Sequence, residues 1–156
     1  MINQKKDIYS KKLNKNDFNS IEDINCQSFN ELKNKKDILL FINSCNKIND
    51  INYSENKIED IMFNNKYLAY VYYKKDDPIG YLLAYIQKEN DFKTLTIENL
   101  GVLTQYQNQN YEKKFINMII NKSWNKRNVD NINIILELEK DYIVKILNKL
   151  NFKKRF

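Results

Sequence analysis

Histidine is absent from this chain of 156 residues, and cysteine, proline, glycine, alanine and arginine are nearly so: two Cys, one Pro, two Gly, Ala69 and Ala84, Arg127 and Arg155. Without histidine and with Cys26 and Cys45 far apart, neither a zinc site nor a Ser-His or Cys-His nucleophile can be assembled, which excludes hydrolase triads. No stretch reaches the ~20 apolar residues of a membrane span, and residues 1–10 lack the apolar run of a signal peptide. Two cysteines at apolar positions of expected helices read as buried, reduced thiols, so a cytoplasmic protein is expected. The formal charge of +6 is almost all lysine spread along the chain. Without an arginine cluster that charge argues against nucleic acid as the partner.

What is abundant is Lys, Asn, Ile, Tyr and Phe. Apolar residues make up 42% of the chain, and the large area of each aromatic ring helps a modest apolar content build one core. No internal repeat or Pro/Gly/Ser-rich linker divides it, so residues 1–156 read as one domain.

Periodicity predicts the elements. Residues 8–13 suit a first strand. Asn16 or Asp17 can cap a helix carrying Phe18, Ile21, Ile24, Phe29 and Leu32, and Asp37 opens a second with Ile38, Phe41, Ile42, Cys45 and Ile48 along it. A polar stretch, 49–56, follows. Residues 67–73 are apolar on both faces, as a strand covered on both sides should be, and strands over 81–87 and 94–102 complete a meander joined by short turns. Tyr111, Phe115, Ile116, Ile119, Ile120 and Trp124 mark a helix over 110–126. A strand at 132–138 and a helix at 142–150 close the chain. The order is β-α-α-β-β-β-α-β-α, an α/β (α+β) domain with a mixed sheet.

One segment carries more than order: Ile97-Glu98-Asn99-Leu100-Gly101-Val102-Leu103-Thr104-Gln105-Tyr106-Gln107, then 108–112 and a helix. It resembles the motif of the GCN5-related N-acetyltransferase family, in which a strand ending in Val runs into x-Pro-x-Tyr-Arg and a turn Arg/Gln-x-x-Gly-x-Gly/Ala. Val102, Tyr106 and Gln107 match; Thr104 replaces the Pro, Asn110 the first Gly and Glu112 the Gly/Ala. The closing strand and helix, with Asn151-Phe152, are similar to the family's ending in Gly-Phe. Asn is the residue best able to replace Gly at positive φ.

The resemblance implies acetyl-CoA as co-substrate, no metal, and transfer of the acetyl group to a primary amine on a small molecule, such as an amino-sugar phosphate, or on a peptide. It places the thioester and pantetheine along Leu100, Gly101 and Val102 on a bulged strand. The pyrophosphate falls at Gln107, Asn108, Gln109, Asn110, Tyr111 and Glu112, where a helix N-terminus offers N–H groups and a positive dipole end. Glu98 is the candidate base. The Tyr that many members use as general acid is Leu147 here, and Glu112 puts a carboxylate where phosphates belong. A catalytically degenerate binding or scaffolding protein of the same fold is therefore the alternative. Within the family, Ile97-Glu98-Asn99 is faintly similar to glucosamine-6-phosphate N-acetyltransferases, and N-terminal and ribosomal-protein acetyltransferases resemble the chain almost as well. Because family members usually add a strand pair after Gly-Phe, the sheet is expected to end in an open edge, met by a homodimer or a complex. The strand ending at Val102 and the strand 132–138 should be parallel, bridged by the helix between them.

Overall fold

A computed structural model describes residues 7–13, 24–32, 34–45, 53–64, 66–136 and 141–155. Strands β1 (Asp7–Lys12) and β2 (Asn25–Ser28) precede helices α1 (Lys35–Cys45) and α2 (Glu55–Phe63). Then come β3 (Tyr67–Lys74), β4 (Asp77–Glu89), β5 (Phe92–Val102), α3 (Tyr111–Arg127), β6 (Asn131–Leu136), α4 (Asp141–Lys149) and β7 (Lys153–Arg155). The seven strands form one mixed sheet in the order β2-β3-β4-β5-β6-β1-β7.

The aromatic and β-branched meander forms as its pattern implies, because residues buried on both sides need a layer of helices over each face. Period 2 sorts them. In β4, Leu82 and Ala84 join the cluster under α3 and α4 with Phe115, Ile119, Ile134 and Leu147, while Tyr81 and Leu83 join Ile42, Ile58 and Ile61 under α1 and α2. As the spacing required, β5 and β6 are parallel, with Thr94 opposite Asn131 and Ile97 opposite Ile134, and α3 lies between them in the chain.

Three parts differ from the sequence reading. The first helix expected through Leu32 falls partly outside the described residues, and where it is described it is strand followed by a 3₁₀ turn, Phe29–Glu31: Cys26 sits opposite Tyr72 in an antiparallel pair with β3. Pairing to a buried strand overrides the helical spacing of Ile24 and Phe29, and Cys26 is a half-buried strand residue rather than a helical one. Next, α2 starts at the end of the stretch read as polar, 49–56, and runs on through residues to which the sequence reading assigned no element. Ser54 caps it, its Oγ accepting from the Lys57 N–H at 3.2 Å, and Ile58, Ile61 and Met62 face inward at helical spacing. Last, β7 adds a short strand along β1, so the sheet is not bare after Phe152. The margins are a four-residue and a three-residue strand, the latter Lys153-Lys154-Arg155. Both margins among the described residues are short, and the β7 one is wholly basic, a character that resists edge pairing.

The Asn-for-Gly reading holds. Asn110 has φ 66° and Asn151 has φ 66°. At the end of α4, Phe152 N–H donates to Leu147 O at 2.9 Å and Asn151 N–H to Asn148 O at 3.1 Å, the paired bonds of a Schellman ending. Among the described residues no helix is long and apolar enough to cross a membrane.

Candidate active site

The centre of β5 is irregular in a way that matters for chemistry. Against β4, Asn99 lies opposite Leu83 but Ile97 lies opposite Ala84, so Glu98 is the extra residue of a bulge. The resemblance had placed that bulge at Leu100, Gly101 and Val102; the register moves it to Glu98 itself. Immediately there, β5 also parts from β6. Its pairing with β6 ends at Ile97, while β6 continues alongside β1 to the Leu136–Asp7 pair. The sheet opens at the residue predicted to be the base.

Glu98 is about one-third exposed, and its cationic neighbour comes from α2. Lys57 Nζ stands 3.9 Å from Glu98 Oε1, a loose ion pair, and donates to Tyr67 Oη at 3.0 Å. Burial pulls the Lys57 ammonium down, but the Tyr67 hydrogen bond and the charge of Glu98 outweigh it, with help from Asp60, and the net shift is upward. Lys57 therefore stays cationic beside the carboxylate. Glu98 Oε2 is buried and accepts no hydrogen bond from the described residues, the kind of vacancy that a ligand N–H or a water relieves. Asn99 next to it donates from Nδ2 to Tyr53 Oη at 2.8 Å and accepts from the Leu100 N–H at 2.8 Å. Tyr53, Lys57 and Tyr67 were not among the sequence candidates. The signal was present in the spacing of Ile58, Ile61 and Met62 after a Ser cap.

Gly101 has a packing reason rather than a conformational one. It lies opposite Tyr81, and a Cβ built on it would be 2.4 Å from Tyr81 Cε1. Leu100 is half-buried and Val102 is in the core.

Beyond Val102 a short 3₁₀ turn, Thr104–Tyr106, leads to the loop before α3. Gln107 Nε2 reaches back to Val102 O at 3.1 Å, and Gln109 Nε2 to Gln105 O at 2.9 Å. Asn108 and Asn110 both take positive φ, 61° and 66°. Asn110 caps α3 without a side-chain hydrogen bond to the first turn, so its amide leaves those N–H groups uncovered. Tyr111 turns inward against Phe115 and Tyr106, its ring centroid 6.5 Å from the first and 5.9 Å from the second. Glu112 is 2% exposed and lies on the same stripe as Phe115, Ile116, Ile119 and Ser123. Binding acetyl-CoA in the family manner would need this carboxylate to swing outward; here it faces the protein. Leu147, where an acid would stand, is fully buried.

Compared as sequence, the chain matches no family model and no curated protein. Compared as a fold, it matches many solved structures. An aminoglycoside acetyltransferase from an uncultured soil metagenomic sample superposes with a TM-score of 0.64 at 16% identity, over 81% of this chain and 85% of that one. Arabidopsis thaliana Naa50, in complex with the bisubstrate analogue CoA-Ac-MVNAL, gives 0.64 at 16% over 85% and 84%. Ribosomal-protein-alanine N-acetyltransferase from Brucella melitensis gives 0.64 at 11% over 83% and 91%. This chain has the GCN5-related N-acetyltransferase fold. Identities this low establish the fold and leave the reaction to the residues.

Within the acetyltransferase fold, the predicted residues fall along one path. Glu98 is the bulge, Leu100, Gly101 and Val102 continue the strand where it has left β6, and Gln107, Asn108, Gln109, Asn110, Tyr111 and Glu112 lead into α3. They are contiguous in chain and in space. Two of the lost glycines are replaced by asparagines that keep the left-handed backbone. The third position, Glu112, is replaced by a side chain that changes the charge.

Proposed function

We propose that this protein is an acetyl-CoA-dependent N-acetyltransferase acting on a primary amine, with Glu98 as its base. The observation that carries the reading is the coincidence at Glu98 of the β5 bulge, the end of the β5–β6 pairing, and a carboxylate oxygen that is buried without a hydrogen bond. The residues present fit the co-substrate at two places. The strand edge from Leu100 to Val102 can hold its pantetheine arm, and the positive-φ turn with the uncapped first turn of α3 can hold its pyrophosphate. Acetyl-CoA, when bound, supplies the acetyl thioester.

The chain's own residues then have these tasks. Glu98 takes a proton from the acceptor ammonium so that a neutral amine lone pair is available, which amine acylation requires. Lys57 lies beside that carboxylate, and the Lys57–Tyr67 hydrogen bond fixes where the ammonium sits. Asn99, locked to Tyr53 and to the Leu100 N–H, holds the strand beyond the bulge. No side chain stands in Leu147's place to return a proton to the departing thiolate, so water does so. The reading includes a cytoplasmic setting, supported by two free cysteines.

A second reading, a binding protein that kept the fold and lost the reaction, is favoured by buried Glu112 at the head of α3 and by Leu147. One experiment separates the two. Acetyl-CoA titrated against the protein by calorimetry should bind, and Glu98→Gln should lower kcat by roughly 10²–10⁴ without changing that affinity, as loss of a general base does. Absence of binding at millimolar acetyl-CoA refutes the enzyme.

A further inference from the structure

The sheet face that bears Glu98 continues along β5 toward a basic groove. Tyr81 and Leu83, on the α1/α2 face, lie opposite Gly101 and Asn99; two and four residues further along β4, Tyr85 and Gln87 lie opposite Thr96 and Thr94, so those threonines share the face. Following the pairings outward, Thr94 leads to Asn131 and Lys12, and Thr96 leads to Asn133, Ser10 and Lys153. The next row, level with Glu98, runs from Ile135 through Ile8 to Arg155. Of these rows, Thr94, Ser10 and the two asparagines line a groove of about 390 Å³ together with Lys12, Lys153 and Arg155, and its described lining residues include no carboxylate. Its floor is polar and ordered, with Ser10 Oγ donating to Asn133 Oδ1 at 2.6 Å. One of only two arginines in the chain is here.

Register fixes the reach. From Glu98 to Arg155 is three inter-strand steps of ~4.8 Å, at least about 14 Å because β5 has left β6 there, and Lys153 lies about 7 Å further along β7. An amine and an anion on one sugar ring cannot reach both. An extended peptide advancing ~3.3 Å per residue does so with its fourth to sixth residues.

Resting on the acetyltransferase reading, we propose that the acceptor is the amino terminus of an acidic polypeptide, its α-amine at Glu98 and the carboxylates of residues four to six in the groove formed by Lys12, Lys153 and Arg155. The test uses fluorescent peptides that share their first three residues and carry Glu, Gln or Lys at positions four to six, titrated by anisotropy against the full chain with and without acetyl-CoA. The Glu peptide should bind about tenfold tighter than the Gln peptide at low salt, as expected for several exposed charge pairs, and the gap should close near 0.5 M salt. The double variant Lys153→Glu/Arg155→Glu should turn the preference toward the Lys peptide, and Lys12→Glu, on a different strand, should act in the same direction if β7 is disturbed.

Equal binding of the three peptides overturns the proposal, as does displacement of the Glu peptide by a short single-stranded oligonucleotide that binds more tightly. Its failure is distinguishable from failure of the enzyme. Acetyl transfer with equal kcat/KM on Glu and Gln peptides sinks the acidic acceptor alone, whereas charge-selective binding with no acetyl transfer to any amine sinks the reaction and leaves the groove.

Discussion

Gly101→Ala should destabilise the protein through one contact. The added methyl would stand 2.4 Å from Tyr81 Cε1 and 3.1 Å from both Tyr81 Cζ and Cys45 Cβ. Tyr81 is completely buried opposite it, and a ring carbon cannot retreat as a flexible chain end would, so β5 or the ring must shift. Forced overpacking costs about 1–3 kcal/mol. Gly101 does not use positive φ, so alanine also removes unfolded-state freedom, a gain of about 0.4–1 kcal/mol that offsets part of the cost. A net loss of about 1–2 kcal/mol follows, and at roughly 2–4 °C per kcal/mol for a chain of this length Tm should fall by about 2–8 °C. Urea unfolding with an unchanged m value measures the same loss. In a Tyr81→Leu background most of the cost should disappear, a coupling on the order of 1 kcal/mol in a double-mutant cycle. A Gly101→Ala protein as stable as the parent would refute the steric argument and return Gly101 to a role in ligand contact.

Further outcomes follow from other residues. Glu112→Gln keeps the shape and removes the acidic group from the head of α3, so acetyl-CoA should bind several-fold tighter by calorimetry; weaker binding would mean the carboxyl group makes a useful contact. Asn151→Gly should keep or raise Tm, whereas Asn151→Ala should cost about 1–2 kcal/mol because alanine resists the left-handed backbone of the α4 ending. Burial pushes the Cys45 thiol up to about 12, so it should resist iodoacetamide at pH 8. Because the folded value lies above the unfolded one near 9, this thiol's contribution is full below about pH 9 and is lost as pH rises toward 12. Cys45→Ala should therefore flatten part of the decline measured from pH 9 upward, while Tyr72 and Tyr73, whose phenols burial also raises, keep their share of it.

The parts of the fold that were legible are those whose signal is local. The two-sided apolar run from Tyr67, the helical stripe from Tyr111 to Trp124 and the asparagines at Asn110 and Asn151 each state a backbone conformation within a few residues. What was hidden depends on partners. Cys26 is in a strand because Tyr72 pairs with it, and nothing in the spacing of its neighbours says so. The inward residues of α2 were diluted by polar ones, and β7 is three basic residues that are strand only because β1 lies beside them. The site divides the same way. Glu98 and the loop from Gln107 to Glu112 were found in sequence, but the bulge is a property of two strands in register, and Lys57 meets Glu98, and Tyr53 meets Asn99, across 41 and 46 positions of chain. Glu112's inward turn was equally invisible, since a first-turn glutamate ordinarily faces solvent.

The two apolar clusters on opposite faces of the sheet are not equals. The one under α3 and α4 draws on β1, β3, β4, β5 and β6, whereas the one under α1 and α2 rests on Ala69, Val71, Tyr81 and Leu83 of β3 and β4. Native-state hydrogen exchange would accordingly find the α1/α2 layer among the first units to unfold sub-globally, with the remaining sheet still protected. That layer carries Lys57 and, just before α2, Tyr53, the polar ties to Glu98 and Asn99. Its opening equilibrium thus sets how often the Glu98 carboxylate loses Lys57 and Asn99 loses Tyr53, making the stability of a helix pair part of the geometry of the site.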